Sequence, residues 1–181
     1  RFPIVASGFW KDTAVADRDF SWAQIDIPGP RDLFAISTHL LTSSATNRNI
    51  QANELVTNIN ANVHDAYVVL GGDFNTADHG EECLTTLGAV LDTGAPYPKD
   101  GDGNDNTNAS RSKPYDWVAV SPDLAQFQVP VIIGATSFDH GLVVDTRVYS
   151  PIEDLAPALS TDSAATNMQH MSVVKEFAVP E

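Results

Sequence analysis

Only one cysteine, Cys83, occurs in 181 residues, and a bridge takes two, so no internal disulfide framework can staple this chain. Basic residues are scarce as well. Ten Lys+Arg stand against 24 Asp+Glu, a formal net charge of −14, which argues against a protein that grips nucleic acid through its overall field. No apolar run approaches the ~18 residues of a membrane-crossing helix. Internal repeats are missing, and only the tract 101–108 approaches low complexity. What is present is globular: 43% hydrophobic and 19% charged residues. The length suits one domain, able to bury roughly 70% of the surface its unfolded form exposes. The chain opens Arg1-Phe2-Pro3-Ile4-Val5, which reads as mid-protein sequence, and residues upstream are expected.

Polar and apolar residues alternate from Ser21 to Ile27, the mark of a half-buried strand. Pro28-Gly29-Pro30-Arg31 is a turn, and Leu33 to Thr38 returns as the second strand of a hairpin. Thr46 is a suitable N-cap for a helix from about Arg48 to Val63, with Ala52, Leu55, Val56, Ile59 and Val63 on one apolar stripe. Tyr67 to Leu70 is short and apolar, as in a central strand buried on both faces. Cys83–Leu91 reads as a short helix, 96–113 as a loop, and Asp116–Val120, Val129–Ile133 and Ser172–Val179 as strands. The span 139–166 carries no clear period. Hairpin, helix and buried strands in this order predict an α/β sandwich.

The segment best suited to chemistry is Leu70-Gly71-Gly72-Asp73-Phe74-Asn75. A buried strand there delivers an acid and an amide, two apart and therefore on one side, to a strand end. The glycines let a ligand approach the backbone closely. Such a carboxylate can serve as a general base for water, and the amide can hold an oxygen or a metal. The alternative is a plain strand-to-loop turn in which Asp73 and Asn75 cap local amides. Three more segments carry chemistry-bearing groups: Ser37-Thr38-His39-Leu40, Lys113-Pro114-Tyr115-Asp116-Trp117-Val118 and Met168-Gln169-His170-Met171. Taken singly, His39 reads as an edge histidine, Asp116 as a turn acid and His170 as a surface residue. Together they set His, Asp/Asn, Asp and His at successive strand ends, where α/β sheets gather ligands.

This order resembles the endonuclease/exonuclease/phosphatase superfamily, whose fold is the DNase I-like two-sheet α/β sandwich. The matching elements are Arg1-Phe2-Pro3-Ile4, Ser37-Thr38-His39-Leu40, Arg48-Asn49-Ile50-Gln51-Ala52, Gly71-Gly72-Asp73-Phe74-Asn75, Tyr115-Asp116-Trp117-Val118 and Gln169-His170-Met171-Ser172-Val173. They correspond to the second half of that domain only, so 1–181 is expected to be a partial domain. The early strands with an Asn and a metal-binding Glu would lie upstream, and the isolated piece is expected to be inactive.

The resemblance implies metal-dependent hydrolysis of a phosphoester or phosphodiester by in-line attack of water. Asp73 would orient or deprotonate that water and, with the upstream Glu, hold Mg²⁺ (Mn²⁺ or Ca²⁺ being alternatives). Asn75 would hold the water or a phosphate oxygen. His170 and His39 would contact the phosphate, and Asp116 would orient a histidine and stabilise its protonated form. Arg111 and Lys113 are weaker candidates for a substrate phosphate. Two departures stand out: Gln169 replaces the Asp usual before the last histidine, and Ser172 replaces a Pro after it.

Phe138-Asp139-His140 holds the literal Asp-His pair, yet His170 is the better choice, because the family's histidine lies just before the final strand. Asp100, Asp102, Asn104 and Asn106 alternate like calcium ligands, but Asp105 and Arg111 occupy the EF-hand positions that need Gly and Glu. Cys83 reads as a small core residue. The net charge favours a phosphorylated small molecule or a lipid-like phosphodiester over nucleic acid. A nuclease, or an inactive phosphate-binding module suggested by Gln169, are the rival readings. Nothing in the residues selects a compartment.

Overall fold

A computed structural model describes residues 2–15 and 18–180, so Arg1 of the opening element lies outside the described residues. A five-stranded sheet in the order β1-β2-β3-β4-β5 is its frame. The strands are β1 (Ile4–Trp10), β2 (Phe20–Ile25), β3 (Asp32–His39), β4 (Ala66–Asp73) and β5 (Asp116–Val120). The β1-β2-β3 run is antiparallel, β4 is parallel to β3, and β5 is antiparallel to β4. The expected hairpin is therefore present, and β1 extends it. Sequence alternation gave no warning of β1 because its residues are mostly exposed.

Helix α1 (Ala45–Asn62) supplies the crossover that a parallel β3–β4 pair requires. Its cap lies two residues before the expected one. Ser44, not Thr46, accepts the amide of Asn47 at 3.2 Å. Ala52, Leu55 and Ile59 of the predicted stripe are buried and Val56 and Val63 pack at its margin, against Phe34, Ile36, Val68 and Leu70 of the sheet. The second helix α2 (Glu82–Leu87) is shorter than expected, and tight turns from Gly88 carry the chain to Leu91. Cys83 is fully buried in this core, and burial beside Glu81 pushes its thiol up to about 12, which leaves it protonated and inert.

The opposite face of the sheet is covered unevenly. Around β4 and β5, Tyr67 and Val120 pack with Leu124 of α3 (Pro122–Ala125) and with Phe177. The expected strand over 129–133 is split at Pro130, which cannot donate to a ladder, into β6 (Gln128–Val129) and β7 (Val131–Ile133). Beyond it lie β8 (Thr136–Phe138) and β9 (Leu142–Val144). The expected closing strand is also split, into β10 (Ser172–Val174) on β9 and β11 (Glu176–Phe177) on β6. With β7 paired to β8, these are three separate two-stranded sheets among the described residues. Over β1 nothing described covers the sheet: Phe2, Ile4, Val5 and Phe9 are all more than half exposed. No helix among the described residues is long and apolar enough to cross a membrane.

Candidate active site

The register places His39 opposite Asp73 and Asp73 opposite Asp116, so one row across β3, β4 and β5 carries three titratable side chains at a common strand end. Alternation puts Asp73 on the face of Val69 and Tyr67, opposite the one covered by α1 and α2. Gly72 lets β4 lie this close to β3. A Cβ there would sit 1.9 Å from the Thr38 carbonyl oxygen, and its φ of +146° is one that side chains rarely adopt.

His170 arrives from 54 residues further on, just before β10. Its Nδ1 faces both Asp116 carboxylate oxygens at 3.1 Å, so with Asp116 ionised the ring donates from Nδ1. Its Nε2 lies 3.8 Å from Asp73 Oδ2, and His39 Nε2 reaches the same oxygen at 3.3 Å. Asp73 thus sits between two imidazoles. Burial pushes the Asp116 carboxyl above its ordinary value, opposed by hydrogen bonding with His170 and Thr107.

Asn75 has left-handed backbone, φ +54°, which asparagine tolerates better than most residues. In that conformation its amide N–H donates to Asp73 Oδ1 at 2.8 Å, and its side-chain Nδ2 to Asp73 Oδ2 at 3.1 Å and to the Leu40 carbonyl at 2.9 Å. Local capping and the presentation of Asp73 are therefore one arrangement, not alternatives.

A hollow of about 460 Å³ opens beside these groups, walled by His39, Asp73, Asn75, Tyr115 and His170 and by Asn108 and Ser110 of the long loop. Lys113 is exposed, with Nζ 5.9 Å from the centre of the Tyr115 ring. Arg111 is placed differently from the expectation of a phosphate contact. Its guanidinium is enclosed by Asp100 and the Asn104 and Asn106 carbonyls, and pairs with Asp145 at 3.2 Å. It takes the place a cation would have among the alternating Asp and Asn residues, and so organises the loop instead of facing the hollow. His140 is exposed in the turn between β8 and β9, and the site contains none of its atoms.

Sequence reasoning missed Thr107, which fastens both halves of the acid–histidine pair. Its hydroxyl accepts the Asp116 amide at 2.7 Å and its carbonyl the Met171 amide at 2.7 Å. It also missed Asn108 and Ser110. All three lie in or beside the low-complexity tract, which has no periodicity to read.

The likeness to solved structures settles the fold. A conserved protein of unknown function from Enterococcus faecalis V583 superposes with a TM-score of 0.62 at 14% identity, over 97% of this chain and 68% of that one. An endonuclease/exonuclease/phosphatase from Bacteroides vulgatus gives 0.55 at 18% identity, over 67% of this chain and 55% of that one. This chain has the endonuclease/exonuclease/phosphatase fold. The mannosyl-6-phosphatase of Bacteroides thetaiotaomicron gives 0.52 at 16% identity, over 76% and 62% of the two chains. The chain therefore spans between about half and two thirds of the length of such proteins. No sequence-family profile and no curated protein matches it. Within this fold the Asp73, Asp116 and His170 ligand atoms lie within 4.8 Å of one another, a grouping able to hold a metal ion.

Proposed function

We propose that the chain is the C-terminal part of a metal-dependent phosphoester or phosphodiester hydrolase. The observation that carries this reading is the pair of imidazoles flanking Asp73, one of them backed by Asp116 at 3.1 Å. A phosphate seated in the hollow would meet hydrogen-bond donors from two sides, with a carboxylate between them for the water.

Each residue has a distinct part. Asp73, held at both oxygens by Asn75, orients the attacking water and takes up its proton. His170 presents Nε2 to a non-bridging oxygen, with Asp116 fixing the ring through Nδ1. His39, about half exposed, contacts the same phosphate. Lys113 remains available at the rim, whereas Arg111 belongs to the loop. Asp73 would be the ligand this chain supplies, a carboxylate suited to a hard divalent ion of the Mg²⁺ kind, while Asp116 and His170 engage each other. Such an ion would supply positive charge against the phosphoryl oxygens.

Completion by an upstream half is part of the proposal. The uncovered sheet face, with Phe9 66% and Val5 59% exposed, supports it, as does the chain's share of the solved relatives. Exposed apolar strands of this size are normally covered by a second layer. The charge of −14 favours a small phosphoester or a lipid-like phosphodiester over duplex DNA. The name of the mannosyl-6-phosphatase among the similar folds agrees with a small phosphoester.

The test is hydrolysis of p-nitrophenyl phosphate and bis-p-nitrophenyl phosphate by the full-length protein with Mg²⁺. Asp73→Asn should reduce the rate by about 10²–10⁴-fold while the protein still folds. A variant that keeps most of the activity removes this reading.

A further inference from the structure

The segments that directly follow His39 and Asn75 are tied to one buried guanidinium. Arg48, on the first turn of α1, is 5% exposed. Its Nη1 donates to the Leu41 carbonyl at 2.9 Å and to the Thr42 carbonyl at 3.1 Å. Its Nη2 donates to Glu81 Oε2 at 2.9 Å, and its Nε to the other oxygen of the same carboxylate. Glu81 Oε2 in turn accepts the Ala77 amide at 2.9 Å, just past Asn75.

Gln51 follows one helical turn later and is fully buried. Its Oε1 accepts the Leu41 amide at 2.8 Å, while its Nε2 donates to the buried carboxylate of Asp12. The Leu40 carbonyl is held by Asn75 and the Leu40 amide by the Asp73 carbonyl. The backbone immediately after His39 is thus fastened at every group from Leu40 N to Thr42 O except the Thr42 amide, for which no bond is seen. Neither Arg48 nor Gln51 lines the hollow.

We infer that Arg48, Glu81 and Gln51 are positioning residues, which use α1 as a strut to fix His39 and Asn75 relative to Asp73. This rests on the proposed phosphoesterase reading for its kinetic arm only. The physical argument is about geometry, not stability. A buried ion pair is often replaceable by apolar side chains without loss of stability. A planar guanidinium bidentate to a carboxylate, with two further carbonyls on it, fixes orientation in a way that apolar packing does not. Displacing a reacting group by about 1 Å can cost on the order of 10² in rate.

The decisive variant is Arg48→Met with Glu81→Met in the full-length protein, beside Arg48→Lys alone. For the double variant, thermal melting should stay near the parent, kcat on bis-p-nitrophenyl phosphate should fall by about 10–100-fold, and KM should change little. Arg48→Lys keeps the charge without the fork and should fall between the two. In both, the Leu41 amide should exchange at least about tenfold faster, while that of Leu70 in β4 is unchanged. A folded double variant with parental kcat overturns the inference, and so does Arg48→Lys with parental kcat, which also decides the matter if the double variant does not fold. Should the parent itself show no hydrolysis, the phosphoesterase reading fails on its own. The strut is then judged by the Leu41 amide, and unchanged exchange there overturns it.

Discussion

The two histidines of the site are held in different ways. His39 is fastened through the sheet: it ends β3, faces Asp73 by parallel register, and its following residues are tied to α1. His170 is fastened through loops. Asn108 bridges to it, Ala109 donates to the Gln169 carbonyl at 2.9 Å, and Thr107 grips Met171 and Asp116. Behind those loops stands a cluster of Arg111, Asp100, Asp145 and Arg147, with Asp145 only 2% exposed. One arm of the site is set by strand register and braced by α1, whereas the other is set by long-range loop contacts backed by a charge cluster. The two arms should therefore fail separately.

The largest expected effect is on the second arm's own pair. His170→Ala should lower kcat by about 10²-fold or more, and Asp116→Ala by a similar amount. Because Asp116 acts through the ring, the double variant should be little worse than His170→Ala, and a double-mutant cycle reads this directly. Additive losses would mean that Asp116 has an independent part, such as holding the metal. His140→Ala serves as the control and should leave kcat unchanged. A loss there and none in His170→Ala would reverse the choice between the two histidines.

Arg111→Met tests the charge cluster. Removing one partner of a buried pair costs about 3–5 kcal/mol, because Asp100 keeps its charge without it, while Asp145 retains Arg147. For a chain of this size, that is a fall in Tm of roughly 10 °C. Phosphate binding measured at a temperature where the variant is folded should weaken through His170 and not through His39, which separates the arms by their imidazole NMR signals. Equal perturbation of both would merge them.

The smallest effect is the dependence of stability on pH. Burial alone would raise the carboxyls of Glu81 and Asp145. Arg48 and the Ala77 amide hold the first below its ordinary 4.5, and Arg147 and Arg111 hold the second below 3.8. Carboxyls depressed in the folded state contribute stability above their unfolded pKa and lose it as pH falls through the folded value. Melting temperature should be steady from neutral pH to about 4.5 and should decline below it, first as the Glu81 contribution is lost. Arg48→Met with Glu81→Met should flatten the upper part of that decline, leaving the part due to Asp145.

Much of the first arm is legible in the sequence. The apolar run before Gly71 marks β4, the hydrophobic stripe marks α1, and a histidine closing the preceding strand falls into register with Asp73 once a helix forces the pair to be parallel. Choosing His170 over His140 rested on family order, and the geometry places His170 on Asp116. Errors gathered where side-chain periodicity is silent. β1 was unread because its face is uncovered, the N-cap moved to Ser44, and the last strand broke in two because its halves pair with different partners.

Arg111 shows the boundary most clearly. A lone arginine in a loop of Gly, Asp and Asn has the composition of a phosphate contact, and nothing local distinguishes that role from the one it has. The outcome depends on two buried carboxylates: Asp100, 6% exposed, which pairs with Arg111, and the distant Asp145, 2% exposed, which Arg111 shares with Arg147. By itself, then, the sequence determined which strands are buried, where α1 lies and that Asp73 and Asn75 sit together at a strand end, since these follow from short-range periodicity and chain geometry. Which histidine meets Asp116, and which basic side chain is left to face a phosphate, only the tertiary structure decided. Those pairings join residues tens of positions apart, and burial sets the strength of their charges.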